Sequence, residues 1–322
     1  MPYTSYSNLL PEDVAALFAY FRLGVSPVSI PNKANEIPFP LSMRWPLTYW
    51  RLLFAPTPEP YVAPVEWTAD VARGGYLVEG LGHCGECHTS RNAALALRAT
   101  TPKDGSRFLA GARIEGYFAP SLRSEGPGSL ADWNAEDIAA FLMTGVNRHG
   151  IAFASMSEVI VNSTQHLTQH DALAMAAFLK TLTTPGRTFA PAFTPNDDEH
   201  SRLKAGDASK PGAQLYLDNC AACHRPDGKG YEGVFPSLAG NPVVLAESAD
   251  SIIAIVSEGA TTPRTQATPA RFTMPSLHWR LGDEGVAKVA TFVRSSWGNQ
   301  AGAVDIADVR AVRKLVAQSE AQ

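Results

Sequence analysis

Each of two cysteine pairs in this 322-residue chain closes on a histidine: Cys84 and Cys87 in "CGECH" (84–88), Cys220 and Cys223 in "CAACH" (220–224). The chain has 4 cysteines, so the two motifs use all of them. Two thiols one helical turn apart can add to the two vinyl groups on one edge of an iron porphyrin. The adjacent histidine, His88 or His224, then sits under the metal as an axial ligand, which is the attachment chemistry of c-type haem. Three other accounts of the spacing compete. A thioredoxin-like pair expects a βαβ setting that neither stretch has. One zinc ion shared by both pairs expects them far closer than the about 130 residues that separate them. Coincidence would have to strike twice and consume every thiol. The pattern therefore predicts two covalently bound haem c groups in this chain.

An iron centre that only carries electrons needs a ligand on its far side, usually a methionine thioether or a second histidine. After His224 the chain holds one methionine, Met274, with His278 as a competitor. Between His88 and the second motif it holds Met143, Met156 and Met175. Met143 and Met175 lie inside helical patterns ("AEDIAAFLMTG", "HDALAMAAFLK") and read as core. Met156, in "GIAFASMSEVIVNSTQHL", reads as a loop residue ahead of the next helix. A repeat separates them. Met274 is followed by Leu281 and, eleven residues on, Phe292; Met156 is followed by Leu167 and, eleven residues on, Phe178. The opening of the chain carries the same unit, with Met1, then Leu9, then Tyr20 eleven residues later. Met156 and Met274 are therefore the expected axial ligands. Met1 reads as the orphan ligand of a haem whose attachment motif is missing from this sequence.

The elements that must position these groups are helical. "DVARGGYLVEGLGHCGECH" and "PGAQLYLDNCAACH" each predict a helix running into a motif, with Tyr76 or Tyr216 on its apolar face. Downstream lie "APSL" (119–122) and "FPSL" (235–238). A proline there can offer its backbone carbonyl to the proximal histidine Nδ1, as in monohaem cytochromes c, fixing the ring and strengthening it as a ligand. Pro120 and Pro236 are the candidates. The chain then divides into a C-terminal remnant of a first haem domain (1–25), a linker rich in proline and aromatics (26–66), a haem domain (67–183), a polar linker (184–206), a second haem domain (207–298) and a tail (299–322). The proline-rich strap is expected to run extended and to bury its aromatics within the chain. The tail is expected to be a frayed surface helix. The fold class is mainly α.

Composition narrows the partners. A formal charge of −4 and a pI near 6.1 argue against nucleic acid. No apolar run reaches the length of a membrane span. His149, His166, His170 and His278 take no assigned role.

The combination of "LPEDVAALFAYF", "YLVEGLGHCGECHT", "SMSEVIVNSTQHLTQHDALAMAAFLKTL", "FTMPSLHWRLGDEGV" and "FVRSSWGN" resembles the tri-haem cytochrome c subunit of bacterial membrane-bound dehydrogenases, of the alcohol, gluconate and aldehyde types. The resemblance implies tandem class I cytochrome c domains joined by proline-rich linkers. It implies a protein that is not itself the catalyst: a partner dehydrogenase subunit oxidises the substrate, and electrons pass towards ubiquinone or a terminal oxidase. It places the protein on the periplasmic face of the cytoplasmic membrane, with three haems in the full-length protein and the first motif and export signal absent from this sequence. Two rival readings are a di-haem peroxidase, which would need Met156 displaced from the iron in favour of an open face, His149 or His166, and a stand-alone soluble di-haem shuttle.

Overall fold

Thr68, Asn134 and Thr168 each end an extended stretch and turn it into helix. The Thr68 hydroxyl accepts from the Val71 amide (3.3 Å) and that of Thr168 from the Asp171 amide (3.0 Å). Asn134 accepts from the Asp137 amide (2.7 Å) while Asp137 accepts from that of Asn134 (3.1 Å), a reciprocal cap. The helices they start are Ala69–Tyr76, Ala135–Thr144 and Gln169–Thr181. The computed structural model describes residues 2–34, 36–55, 57–126, 128–186, 188–189 and 193–320, with side chains to 318. Met1 lies outside the described residues. Among the described residues helix dominates, and strand is confined to three two-stranded antiparallel pairs.

Two cores organise the chain, one around each motif. The first gathers Val78, Phe108, Leu109, Trp133, Leu142, Met175 and Phe178. The second gathers Tyr216, Ile253, Leu281, Val286, Phe292 and Trp297. In the first, helix Ala69–Tyr76 crosses Gln169–Thr181 so closely that a Cβ on Gly74 would lie 1.9 Å from the Ala174 carbonyl oxygen. Only glycine allows that approach, and it draws the helix before the motif onto the helix after Met156. Phe178 and Phe292, the aromatics that close two copies of the repeat, are both fully buried.

The two motif helices differ in one respect. Helix Ala69–Tyr76 continues through a π-helical turn, Leu77–Leu81, before reaching Cys84, whereas Ala213–Asn219 runs directly to Cys220. The added turn rotates the face of the helix. Tyr76 therefore points at the N-terminal segment, stacking against Tyr61 at 5.6 Å and donating its hydroxyl to Asp13. Tyr216 instead enters its own core between Phe292 and Trp297 and donates to the Arg225 carbonyl (2.6 Å).

The π turn also buries Glu79. Burial pushes its carboxyl up to about 8 from an ordinary 4.5, with Lys103 opposing the shift and Asp104 adding to it. Below pH 4.5 the group is protonated in both folded and unfolded chains and costs nothing. From there to about pH 8 only the unfolded chain ionises, so stability falls as pH rises, and above that the loss is constant. Glu79→Gln is expected to leave stability unchanged at pH 4. By pH 8 it should stabilise by a few kcal/mol, on the order of 1.4 kcal/mol per pH unit crossed. Denaturant melts across this range check it, and a pH-independent difference between the two proteins would refute it.

Three expectations change. The strap is not extended throughout: Pro46–Phe54 is a helix, because a proline in the first turn starts a helix where one inside would break it. Its aromatics are not buried within the chain either; Phe39 is 80% exposed, and Trp45 and Tyr49 are exposed with it. Trp50 and Tyr61 are exceptions: Trp50 is half-buried with its indole N–H donated to the Ala94 carbonyl (2.7 Å), and Tyr61 is half-buried against Tyr76. The tail is not frayed. In helix Ile306–Glu320, Val309, Val312 and Val316 are buried on the second core, and Arg313 bonds Asp283, Ser257 and the Leu281 carbonyl. The first repeat copy also departs from the others. Tyr20, at the position of Phe178 and Phe292, is 60% exposed, and Phe18 and Phe21 stand exposed on the same segment.

The two cores abut. Arg113 pairs with Asp250 (2.7 Å), the Ser251 hydroxyl bridges the Phe118 amide and carbonyl (2.9 and 3.0 Å), and Asn241 donates to the His149 carbonyl (3.2 Å).

Candidate functional site

The two motifs build the same local geometry from different loops. At the first, helix Gly85–His88 presents His88, whose Nδ1 lies 2.8 Å from the Pro120 carbonyl oxygen. Pro120 follows directly on strand Tyr117–Ala119, paired with Ala112–Ile114, and the Gly111 amide donates to the His88 carbonyl (2.8 Å). The hairpin thus ties the motif helix to the proline. At the second, His224 Nδ1 lies 3.0 Å from the Pro236 carbonyl oxygen, and the Gly230 amide donates to the His224 carbonyl (3.1 Å). Gly230 has φ +59°, and a Cβ there would sit 2.6 Å from the Pro236 oxygen, so any side chain would displace the acceptor.

A carbonyl can only accept, so each Nδ1 carries the proton and each Nε2 keeps its lone pair. Burial lowers the pKa of both imidazoles, with the proline carbonyls pulling weakly the other way, which favours the neutral ring. A neutral imidazole with its Nδ1–H anchored is the form that ligates metal.

Two of the thiols are held in the protonated form. Burial pushes Cys84 and Cys220 each up to about 12, and none of the four cysteines forms a disulfide. A redox dithiol needs the opposite shift, so the thioredoxin account has no support here. Among the described residues no group of three or more histidine, cysteine and acidic side chains converges as a metal site, which leaves the zinc account equally unsupported.

The methionines reach the same cores as the thiols. Met156 and Cys84 both pack against the first core. Met156 is not in a loop: it lies in the first turn of helix Ala154–Asn162, one turn before the buried Ile160. The apolar run Val159, Ile160, Val161 is helical because its middle member has a core to enter. Met274 sits on a short strand, Thr273–Met274, paired with Ala260–Thr261, and packs against the second core with Cys220. Met175 is buried core and stands apart from this role.

The competing histidines are otherwise engaged. His149 stacks on Trp133 (centroids 5.0 Å, 13° between planes) and its Nε2 is 3.1 Å from Asp137. His278 is exposed, with Nδ1 3.8 Å from Glu258. His166 is exposed at the end of a 3₁₀ turn, and His170 is exposed beside Asp70 (3.2 Å).

One feature near the first site carries no sequence signal. The Trp133 indole N–H is buried in the first core without an acceptor among the described residues. A buried donor left unpaired costs about 1–3 kcal/mol, which a bound group with an acceptor edge would recover. Paired thiols, an anchored neutral imidazole, a thioether on the same core and this unpaired donor together fit a covalently held iron porphyrin.

The Cytochrome c family matches residues 209–297 of the chain. Over 98% of its length the chain is 42% identical to the gluconate 2-dehydrogenase cytochrome c subunit of Pantoea cypripedii, covering 72% of that protein. It is 42% identical over 97% of its length to the cytochrome c subunit of the quinone-type alcohol dehydrogenase of Gluconacetobacter polyoxogenes, covering 67% of it. It is 34% identical over 97% of its length to the fructose dehydrogenase cytochrome subunit of Gluconobacter japonicus, covering 66%. Covalently bound haem c goes with this kinship. With motifs, folded cores and relatives in agreement, the chain belongs to the family of dehydrogenase cytochrome c subunits, whose work is electron transfer rather than substrate oxidation.

Proposed function

We propose that this chain holds two haem c groups and relays electrons from a catalytic dehydrogenase subunit towards ubiquinone or a terminal oxidase, at the periplasmic face of the cytoplasmic membrane. Cys84 and Cys87 hold one haem, with His88 and Met156 as axial ligands. Cys220 and Cys223 hold the other, with His224 and Met274. The observation that carries this reading is the duplicated anchor, in which each motif histidine donates Nδ1–H to a proline carbonyl at 2.8 or 3.0 Å.

Haem iron, when bound, supplies reversible one-electron exchange. The chain's own residues decide how it is used. His88 and His224 offer Nε2 as the proximal donor, and Pro120 and Pro236 fix ring orientation and raise donor strength. Met156 and Met274 would hold the iron from the side away from the histidines, which would leave no position for a substrate. Thioether ligation and the apolar cores both favour the ferrous state and so raise the potential. The exposed apolar face of residues 11–24 is the counterpart of the faces that bury Phe178 and Phe292. It supports a third haem unit in the full-length protein, with residues 1–25 as its closing part.

The chain matured with the haem-ligation machinery is expected to give a pyridine haemochrome yield of two haems per polypeptide, falling to one in Cys220→Ala/Cys223→Ala. A yield of one in the unaltered chain, or no change on removing the second thiol pair, would sink the assignment.

A further inference from the structure

The segment that carries Met274, residues 260–282, contains three arginines and no acidic residue, in a chain whose net charge is −4. Arg264, Arg271 and Arg280 are all exposed. None has a salt bridge to any described residue, although fifteen such pairs form among the described residues outside the segment. The nearby carboxylates are already committed: Asp283 to Arg310 and Arg313, Glu284 to Lys288, and Glu258 faces His278. Strand pairing sets Thr261 opposite Thr273, and beyond it the Thr262 amide donates to the Phe272 carbonyl (3.0 Å). Continuing that register would set Arg271 opposite Pro263, the residue before Arg264, so the two arginines fall one residue apart along the hairpin. Beside Arg280, Trp279 stands 77% exposed, with no aromatic partner among the described residues.

The corresponding segment of the first core, residues 145–167, lacks this character. Its one arginine, Arg148, is held by Asp137 at 2.8 Å, and it includes Glu158. A segment that carries three unpaired cations and an exposed tryptophan is thus particular to the second site among the described residues. Tryptophan and arginine are the residue types that dominate binding energy at protein interfaces. Three uncompensated positive charges attract an acidic surface, accelerate encounter and fix its orientation.

We infer that the Met274 loop, through Arg264, Arg271, Arg280 and Trp279, is the docking surface for a redox protein that presents an acidic face. A bilayer is the weaker occupant. Apart from Trp279 the exposed residues here are mostly Thr, Pro, Gln, Ala and Arg, and membrane-surface segments need several large apolar side chains to bury. The inference rests on Met274 as an axial ligand, because only then does the loop border the second haem.

The test uses the haem-loaded chain, reduced with ascorbate and mixed in a stopped-flow instrument with an oxidised blue-copper protein that has an acidic face. Copper gains one electron and the haem protein loses one, with no bond or proton changed. The second-order rate is expected to fall as salt is raised, although the net charge of the chain predicts the reverse for an anionic partner. In R264E/R271E/R280E the low-salt rate should drop by about 10- to 1,000-fold and the salt dependence should change sign. The triple Arg→Lys variant should keep the original slope, and Trp279→Ala should weaken association by about tenfold with the slope intact. An unchanged slope in the triple glutamate variant would overturn the proposal. So would unaltered copper-protein kinetics accompanied by lost binding to phosphatidylglycerol–phosphatidylcholine vesicles, which would assign the surface to lipid. The ferrous spectrum of the unaltered chain is recorded alongside: absence of methionine ligation there would count against the haem assignment instead of the docking surface.

Discussion

Replacing Met274 with alanine lowers the potential of one haem by on the order of 100 mV, a modest part of the about 0.8 V that axial ligation spans, and leaves the other in place. Met156→Ala does the same to the other haem. The sign follows from ligand chemistry: a thioether favours the ferrous over the ferric state, and water or hydroxide in its place does not. Each variant should also bind cyanide at one haem, since the side that sulfur filled becomes accessible. Both methionines are half-buried against a core that also takes a motif cysteine, so truncation to alanine removes a ligand while leaving the surrounding packing largely supported. Spectroelectrochemical titration with the two haems resolved reads the result directly. A titration curve superimposable on the parent's would exclude that methionine as a ligand. A shift of both haems in either single variant would contradict the one-to-one assignment.

The largest stability effect is expected at Arg294. Its guanidinium is 3% exposed and has no carboxylate partner among the described residues. It donates instead to the carbonyls of Val244 (2.8 Å), Ala246 (3.1 Å) and Gly302 (2.8 Å). The first two belong to the end of helix Pro242–Leu245, where carbonyls lack intrahelical partners. Burial draws the guanidinium pKa down, yet an arginine satisfied by several carbonyls stays charged. Arg294→Met keeps apolar volume and strands all three acceptors, at a cost of about 3–5 kcal/mol. Arg294→Lys recovers only part, because an ammonium cannot reproduce the planar fork. Guanidinium chloride unfolding of the haem-loaded protein should show a lower midpoint at unchanged m-value. A loss below about 1 kcal/mol would mean that water takes over the bonds and the side chain is replaceable.

The chemistry was legible in the sequence because it is written in local order. Thiol spacing, the histidine after it and the proline downstream are near neighbours along the chain, so residue types and intervals were enough to nominate them. The methionines were nominated as candidates through the interval to the next leucine and aromatic, a repeat set by how far one helix reaches. The strap was misjudged because its proline count outweighed the positions of those prolines; Pro46 begins a helix instead of preventing one. The tail was misjudged for a related reason. Val309, Val312 and Val316 are spaced as a helical stripe whether or not a surface awaits them, and nothing along the chain says that the second core offers one.

What the amino-acid order determined by itself was the inventory: two attachment motifs, their candidate axial ligands, a mainly helical fold and a likeness to dehydrogenase cytochrome subunits. Tertiary structure alone decided which groups are left unsatisfied. It buried Glu79 on a π turn and set Arg294 among carbonyls from residues 48–50 positions earlier and 8 later; among the described residues it left the Trp133 N–H without an acceptor and three arginines of the Met274 segment without a salt bridge. The reason is physical. A ligand motif is short-range and survives in any fold that brings its residues together, whereas burial and pairing are properties of the space around a side chain, filled by residues that the sequence does not keep nearby.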